Sequence, residues 1–200
     1  MEKKRNKSVF KKIWHFIWED NSIWSWIVNI LLAFVLIKFI VYPGLGLMLG
    51  TGYPIVAVVS ESMEHNSMNF DGWWNVNHKW YENEGITKQE FEEYVLKNGF
   101  KKGDIIILKG SSPQDLKVGD VIVFKARQPD PVIHRIVKKW EEYGEYYYQT
   151  KGDNNPGSIS NFDIDETRIS EKQIIGKAVF KIPYLGYIKI LFVDLISSFV

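Results

Sequence analysis

The stretch KKGDIIILKGSSPQDLKVGDVIVFKA, residues 101–126, contains one local pattern twice. In each copy a Gly-Asp pair is followed by a short run of large apolar residues, IIIL at 105–108 and VIVF at 121–124. Gly-Asp pairs are turn signals, and short runs rich in Ile and Val are typical of buried strands. We therefore predict two strands, each opened by a Gly-Asp turn, and not an array of repeated units.

Similar short runs lie on both sides of this stretch. They read PIVAVVS at 54–60, VIHRIV at 132–137, EYYYQT at 145–150 and GKAVFKI at 176–182, and clusters of Gly, Pro, Asp or Asn separate them. Several short strands at such spacing favour an antiparallel sheet. The predicted fold is mainly β, with an antiparallel β domain over residues 44–183.

Residues 64–102 interrupt the strand pattern and are predicted to form a small helical insert. Thr87 and Glu90 form a capping-box signature, and the apolar spacing after them predicts one helix of about ten residues that stops at Asn98-Gly99. An aromatic cluster precedes it. The cluster could rest on a membrane surface or pack the insert onto the sheet, and we favour packing. Its members are Phe70, Trp73, Trp74, Trp80 and Tyr81.

The N-terminal part of the chain is predicted to anchor it in a membrane. Residues 24–42 carry Lys38 as their only charge, and their length suits a helix that crosses a hydrocarbon core. Pro43-Gly44 is predicted to end this helix, which places the anchor at 23–43. A cleaved signal would have a shorter apolar region and a small-residue cleavage site, and a buried core helix would need more surrounding protein.

Two further segments flank the predicted anchor and domain. Residues 1–22 are basic and carry an apolar stripe at helical spacing, which predicts a short interfacial helix on the cytoplasmic side. The remainder after the anchor is then extracytoplasmic. Residues 184–200 are apolar but short and charged, so an interfacial helix and part of a second span both remain open as a membrane-associated segment.

The composition excludes several classes of function. The chain has no cysteine, which excludes a disulfide framework, a thiolate zinc site and a cysteine nucleophile. Its 25 basic and 24 acidic residues give no global field that would attract nucleic acid. The Asp-Asn stretch from Asp153 does not fit a calcium loop, because Ile164 stands where such a loop needs Glu. No metal and no cofactor is predicted.

Serine chemistry is the remaining catalytic possibility. Ser62 leaves an apolar run at a turn, although a serine bonded to its own backbone would explain it equally well. Of the four histidines, His134 shares a strand face with Val132 and Ile136, as either a core histidine or a rigidly held base. The carboxylate that would orient it is sought in the stretch 150–170, which offers three aspartates, Asp153, Asp163 and Asp165.

Taken together, these pieces resemble the boxes of type I signal peptidases of the archaeal and endoplasmic-reticulum kind. The boxes are SESM at 60–63, the doubled GD-IIIL and GD-VIVF, HRIV at 134–137, KGDNNP at 151–156 and IIGKAVFKIPYLGY at 174–187. Bacterial relatives have a lysine where this chain has His134. The resemblance implies a signal-peptidase-like β domain that works with Ser and His, assisted by aspartates.

The resemblance also implies roles for individual residues. Ser62 matches the nucleophile, and Ser60 the hydroxyl that helps the Ser62 backbone N–H bind the oxyanion. His134 matches the general base, and Asp153 matches one family aspartate. For the second aspartate the spacing is disturbed, and counting back from IIGK gives Asp165, with Asp163 as the runner-up. Asp165 is therefore preferred to Asp163 as the second aspartate.

One residue departs from the family pattern beside the nucleophile. Glu61 stands where many relatives have Gly, so a turn that required positive φ there would be strained.

The implied function is that of a membrane-bound serine endopeptidase that removes N-terminal signal peptides from secreted preproteins after translocation. The implied partners are signal-peptide-bearing preproteins, membrane lipid and the translocon, without nucleic acid. The implied location is the cell membrane, with the N-terminus cytoplasmic and the catalytic domain extracytoplasmic.

Two alternatives stay open from the sequence. One is a non-catalytic, membrane-tethered β domain that binds or scaffolds secretory partners, which the aromatic-rich insert would suit. The other is a self-cleaving regulator. Two observations disfavour it: the predicted membrane anchor, and the lack of a predicted DNA-binding helix pair before the β domain.

Overall fold

The computed structural model describes residues 2–188 and residue 191, with side chains from Val9 onward. The chain divides into two compact units, Met1–Met48 and Leu49–Val200. The unit boundary falls a few residues after the predicted anchor, and each unit is described by itself.

The first unit consists of helices. Helix α1 covers Glu2–Trp18, and α2 covers Ile23–Leu36. A π-helical turn at Ile37–Val41 leads without a break into α3, Tyr42–Leu49. Ser22 caps α2, since its side chain accepts the Ser25 N–H. The helical stretch Ile23–Leu49 is 27 residues long with mean hydropathy 2.3, and by length and composition it could cross a membrane.

The prediction that Pro43-Gly44 ends the apolar helix is wrong. Proline has no N–H, and its ring clashes with the carbonyl four residues earlier in a regular α-helix. The π-helical turn at Ile37–Val41 lies directly before Pro43. A turn with i→i+5 bonding is wider, and such bulges accommodate this kind of mismatch. The helix therefore continues to Leu49.

The second unit is built on one antiparallel sheet of seven strands, in the order β1-β2-β7-β3-β4-β5-β6. The mainly β, antiparallel prediction is confirmed. The strands are β1 Ile55–Ala57, β2 Ile105–Lys109, β3 Val121–Phe124, β4 Val132–Glu142, β5 Glu145–Lys151, β6 Ile169–Ser170 and β7 Ile174–Ile182.

The two Gly-Asp turns open β2 and β3 as the repeated pattern predicts. Gly103 and Gly119 have φ of 88° and 94°, a backbone conformation that side chains disfavour. The carboxylates of Asp104 and Asp120 each accept a backbone N–H from three residues earlier, at 3.1 and 2.9 Å. Each pair therefore fixes a tight turn. The two strands do not pair with each other, because β7 lies between them.

Strand β3 is buried on both faces, which explains its uninterrupted apolar sequence. Val121 and Val123 pack with Ile106 and Leu108 in one cluster. Ile122 and Phe124 pack on the opposite face in a second cluster, with Val132, Ile136, Tyr148 and Ile169. Full burial of one such side chain contributes about 1.5–3 kcal/mol. These two cores hold β3 and β4 rigidly in the middle of the sheet.

The insert contains two helices where one was predicted. Helix α4 covers Phe70–Asn83, and α5 covers only Lys88–Glu92, behind the capping box of Thr87 and Glu90. The prediction was wrong in the length of α5. The backbone carbonyls of the residues that follow, Val95 and Leu96, accept hydrogen bonds from the buried Arg135 guanidinium, and Leu96 has φ of 56°. These tertiary bonds outweigh the local preference for a longer helix.

The aromatic cluster packs the insert onto the sheet, as we favoured. Trp73, Trp74, Tyr81 and Phe91 form a buried cluster that includes Val137 of β4. The spacing of the aromatic residues at positions 70, 73, 74 and 81 is helical, and α4 buries that face.

Most residues of the predicted membrane-associated segment, 184–200, lie outside the residues that the structure describes. Of this segment, residues 187, 188 and 191 are helical.

Candidate active site

The sheet brings Ser62 and His134 into hydrogen-bond contact. His134 lies on β4, opposite Ile122 of β3, and only 3% of its surface is exposed. Ser62 lies in the turn after β1, whose last bonds to the neighbouring strand are made by Val58. The Ser62 Oγ lies 2.8 Å from His134 Nε2. The turn after β1 thus places the serine against a histidine that is fixed in the core.

Glu166 supplies the carboxylate on the far side of the imidazole. Its Oε1 lies 2.5 Å from His134 Nδ1 and also accepts the Thr150 hydroxyl at 2.7 Å. Its Oε2 accepts the Ile159 backbone N–H at 2.8 Å, and the side chain is fully buried. A carboxylate only accepts, so Nδ1 carries the proton and Nε2 is left to accept the Ser62 O–H. The carboxylate fixes the tautomer that a general base needs.

The structure does not bring Asp165 or Asp163 to the histidine. The Asp165 carboxylate is exposed and accepts the Thr167 backbone N–H and hydroxyl, at 3.0 and 2.6 Å. Asp163 is also exposed, and its backbone carbonyl accepts the Arg127 N–H. The sequence predicted Asp165 as the orienting carboxylate, with Asp163 as the runner-up. The structure instead places Glu166, the residue directly after Asp165, against His134.

Backbone alternation explains this difference. Asp165 forms an antiparallel bridge with Ser160, and the Glu166 N–H donates to the Ile159 carbonyl. In extended chain, successive side chains point to opposite sides. Asp165 therefore faces solvent and Glu166 faces His134. The resemblance directed the search to aspartates only, and the alternating pattern IDET at 164–167 was the available signal for Glu166.

Asp153 is buried behind the serine, but the hydrogen bonds of its carboxylate reach neither Ser62 nor His134. Arg135 binds it with two bonds, Nε to Oδ1 at 2.9 Å and Nη2 to Oδ2 at 2.7 Å. Burial alone would raise the pKa of Asp153, but the Arg135 charge and the His65 hydrogen bond outweigh it and hold that pKa well below its usual range. Asp153 is therefore an ionised partner of Arg135.

Ser60 lies beside the nucleophile candidate. The two hydroxyl oxygens of Ser60 and Ser62 are 3.1 Å apart. The concern about Glu61 does not apply, because within the described part of the chain positive φ at non-glycine residues occurs elsewhere, at Asn66 and Ser67 among others. The turn that carries Ser62 therefore tolerates a side chain at position 61.

Gly152 is a further site residue that the sequence reasoning missed. A Cβ at this position would lie 2.7 Å from the Ser62 carbonyl oxygen and 2.8 Å from His134 Nε2. The Gly152 backbone therefore lies directly against the Ser62 backbone and the His134 imidazole. The KGDNNP box gave the signal, because a glycine beside a candidate residue often marks a close backbone approach.

A serine, a histidine and a buried carboxylate, joined end to end on a rigid antiparallel sheet, are the arrangement of a serine hydrolase. Comparison with known proteins narrows this class. No family model matches the chain. The signal peptidase complex catalytic subunit SEC11 of Colletotrichum graminicola is 30% identical over 80% of this chain and 78% of its own length. SEC11 of Pyricularia oryzae is 29% identical with the same coverage, and human SEC11C is 26% identical over 77% of this chain and 65% of its own length.

The chain belongs to the type I signal peptidase family and is a serine endopeptidase. These relatives are eukaryotic, so the comparison supports the endoplasmic-reticulum half of the expected resemblance and not its archaeal half.

Proposed function

We propose that this chain removes N-terminal signal peptides from preproteins at a membrane surface, with Ser62 as the nucleophile, His134 as the general base and Glu166 as the residue that orients the base. The observation that carries the proposal is the hydrogen-bonded series Glu166–His134–Ser62, at 2.5 and 2.8 Å. It lies in a chain whose relatives are named as catalytic subunits of the signal peptidase complex.

The geometry supports a two-step acyl transfer. The Ser62 oxygen attacks the scissile carbonyl carbon while its proton passes to His134 Nε2, and the bond to Glu166 stabilises the imidazolium that forms. His134 then gives that proton to the leaving amine, and an ester remains on Ser62. A water molecule loses its proton to His134 and attacks this ester, which releases the signal peptide and restores the serine.

Ser60 is placed to assist with the charge that develops on the substrate oxygen. Its hydroxyl lies beside the attacking oxygen, at 3.1 Å. Together with the Ser62 backbone N–H it would donate to the oxyanion, which is the role expected from the resemblance. Loss of one such donor typically costs about 10²–10³ in kcat.

The free edge of β1 supports the binding of an extended substrate. β1 is the first strand of the sheet and pairs on one side only, with β2. The backbone of Pro54 and Val58 bonds toward β2. Because bonding directions alternate along a strand, the backbone groups of Ile55, Ala57 and Val59 point to the outer edge. A signal peptide could add there as a further strand that leads to Ser62, with small residues at its −1 and −3 positions.

The location of the enzyme follows from the N-terminal unit. The basic residues before the apolar helix would place the N-terminus in the cytoplasm and the β domain on the opposite side, at the cell membrane. Ser62 follows the end of this helix by 13 residues, so the site stays near the anchor along the chain. Membrane lipid and the translocon are then the neighbouring partners.

Cleavage of a preprotein by the purified chain tests this proposal. The full chain in detergent should shorten a signal-bearing preprotein to its mature form, and Ser62→Ala should reduce the rate by several orders of magnitude. Ser112→Ala is the matched control, since Ser112 is exposed and its side chain makes no capping bond. Binding of the preprotein without any size shift by the wild type would favour the non-catalytic scaffold instead.

A further inference from the structure

A second buried polar network lies behind the nucleophile, and the proposed reaction does not use it. Its centre is the Asp153 carboxylate, which is fully buried and paired with Arg135. Tyr81 Oη donates to Asp153 Oδ1 at 3.2 Å, and His65 Nε2 lies 3.2 Å from Oδ2. Tyr81 belongs to α4, and His65 opens the insert. The insert therefore supplies two of the partners of Asp153.

The protonation states of these partners follow from the charge of Asp153. Burial and the Asp153 carboxylate raise the pKa of Tyr81, so its hydroxyl stays protonated and donates. An ionised carboxylate only accepts, so His65 Nε2 must carry a proton. Nδ1 of His65 is then the remaining nitrogen, and it is buried with no hydrogen-bond partner among the residues that the structure describes. Leaving a buried polar atom unpaired is unfavourable, because the atom loses its hydrogen bonds to water and gains none in the protein.

Several contacts fix the orientation of the His65 ring despite this cost. The ring stacks on Trp73, with centroids 4.0 Å apart and an interplanar angle of 5°. Gly99 lies against the edge of the His65 ring, since a Cβ at Gly99 would be 2.6 Å from His65 Cδ2. Directly after His65, Asn66 and Ser67 take φ of 50° and 62°, a conformation that is uncommon outside glycine. The insert accepts backbone strain and an unpaired nitrogen to direct Nε2 at Asp153.

The loop that carries Asp153 supports the reacting groups. The Asn154 N–H donates to the Ser62 carbonyl at 2.8 Å, and the Asp153 N–H contacts the Met63 sulfur at 3.3 Å. Gly152 packs against Ser62 and His134. The chain from Ser62 to His65, the bond to Asp153 and the bond from Asn154 back to Ser62 thus close a ring.

These contacts exclude a direct chemical role for His65. Its hydrogen bond goes to a carboxylate that Arg135 already pairs, and the base beside Ser62 is His134. A change at His65 would reach Ser62 only through the position of the 152–155 loop. A shift of about 1 Å in a reacting group can cost about a hundredfold in rate.

We propose that His65 is a positioning residue of the proteolytic site, which holds Asp153 and the 152–155 loop so that Ser62 and His134 meet in reactive geometry. The proposal rests on the function proposed above for Ser62 and His134. It assigns the insert a part in catalysis, because His65, its stacking partner Trp73 and Tyr81 all belong to residues 64–102.

Two variants separate the effect of the His65 N–H donor from the effect of its aromatic ring. His65→Phe keeps an aromatic ring on Trp73 but removes the donor, and His65→Gln replaces the ring but keeps an N–H that can reach Asp153. We expect His65→Phe to lower kcat for a signal-bearing preprotein by about tenfold to a hundredfold with KM within about twofold. His65→Gln should recover most of this loss. His78→Gln is the matched control, since His78 lies in α4 and bonds the Asn75 carbonyl.

A spectroscopic readout makes the test independent of the substrate. In full-length protein labelled with ¹⁵N at histidine, the ring resonances of His134 should move in His65→Phe and return toward the wild-type positions in His65→Gln. Thermal unfolding in the same detergent confirms that all variants are compared while folded.

The outcomes distinguish this proposal from the proposed function. A wild-type chain that cleaves no preprotein, with His134 resonances that still respond to His65→Phe, refutes the proposed function and leaves the positioning role standing. Unchanged kcat and unchanged His134 resonances in His65→Phe overturn the positioning role. Equal losses in His65→Phe and His65→Gln also overturn it, because the donor to Asp153 would then not matter.

Discussion

The Glu166 carboxylate binds His134 Nδ1 at 2.5 Å, while the side chain one residue earlier, Asp165, points into solvent. Glu166 is fully buried, and each of its oxygens accepts at least one hydrogen bond from the protein. The orienting carboxylate of this site is thus a glutamate fixed by its surroundings. Its neighbour provides a matched control for every test of that role.

Removal of the Glu166 charge should nearly abolish turnover. Glu166→Gln keeps the size of the side chain but no longer enforces the correct imidazole tautomer, and we expect kcat to fall by about 10³–10⁴. Asp165→Asn should stay within about twofold of wild type, since it alters only exposed bonds to Thr167. Initial rates of preprotein cleavage measure both. A Glu166→Gln rate close to wild type would assign the orienting role to another group.

Thr150 should support Glu166 from behind. Its hydroxyl donates to Oε1 at 2.7 Å in a buried setting, so Thr150→Val leaves that oxygen with one donor fewer. We expect the free energy of unfolding to fall by about 1–3 kcal/mol and kcat to fall by about tenfold.

Thr167→Val is the control for this prediction, because its hydroxyl makes a similar bond to Asp165 at the surface. It should change stability by no more than about 0.5 kcal/mol. Urea unfolding in detergent, together with cleavage rates, gives both quantities. Equal effects of the two valine variants would contradict a specific role for Thr150.

The buried Arg135–Asp153 pair predicts a stability that depends on acid. The folded-state pKa of Asp153 is depressed below its unfolded value, so its contribution is complete above about pH 5 and is lost as the pH falls toward the folded pKa. Asp153→Asn should lose about 3–5 kcal/mol near neutral pH, because Arg135 stays buried without its counter-charge. The difference between the unfolding free energies of the two proteins should narrow as the pH falls from 5 to 3, and a constant difference over this range would be the contrary result.

Lys151 predicts a second rise of stability with pH, in the alkaline range. It is buried beside Tyr81, and desolvation lowers its pKa to about 8. Because the unfolded state then binds more protons between about pH 8 and pH 10.5, stability should rise with pH over this window. The rise should amount to about 3 kcal/mol relative to Lys151→Met, which cannot titrate. Unfolding free energies measured at several pH values test this, and identical slopes for the two proteins would refute it.

The sheet was predictable because its signals are local. The Gly-Asp pairs at 103–104 and 119–120 need positive φ and a capping carboxylate, and each is followed by an apolar strand. The order of the strands was not predictable, because β7 pairs between β2 and β3 from a distant part of the chain. Ser62 and His134 could be singled out because each lies in a short, ordered box; the structure brings the two side chains together, and their catalytic roles stay predictions.

The elements that were missed depend on backbone geometry or on tertiary contacts that the residue pattern alone does not show. The apolar helix passes Pro43 because the π-helical turn before it makes room for the ring. Helix α5 ends at Glu92, and Arg135 takes up backbone carbonyls of the residues that follow. Glu166 replaces Asp165 because a two-residue bridge decides which side chain faces inward.

Identification of the covalent intermediate is the most direct test of Ser62 as the nucleophile. A preprotein mixed with excess enzyme is quenched with acid within the first turnover, and mass spectrometry of the digested enzyme locates any ester-linked signal peptide. We expect the adduct on Ser62, and we expect no adduct in Ser62→Ala or His134→Ala. Cleavage that proceeds with the adduct on another residue, or at an undiminished rate in Ser62→Ala, would contradict it.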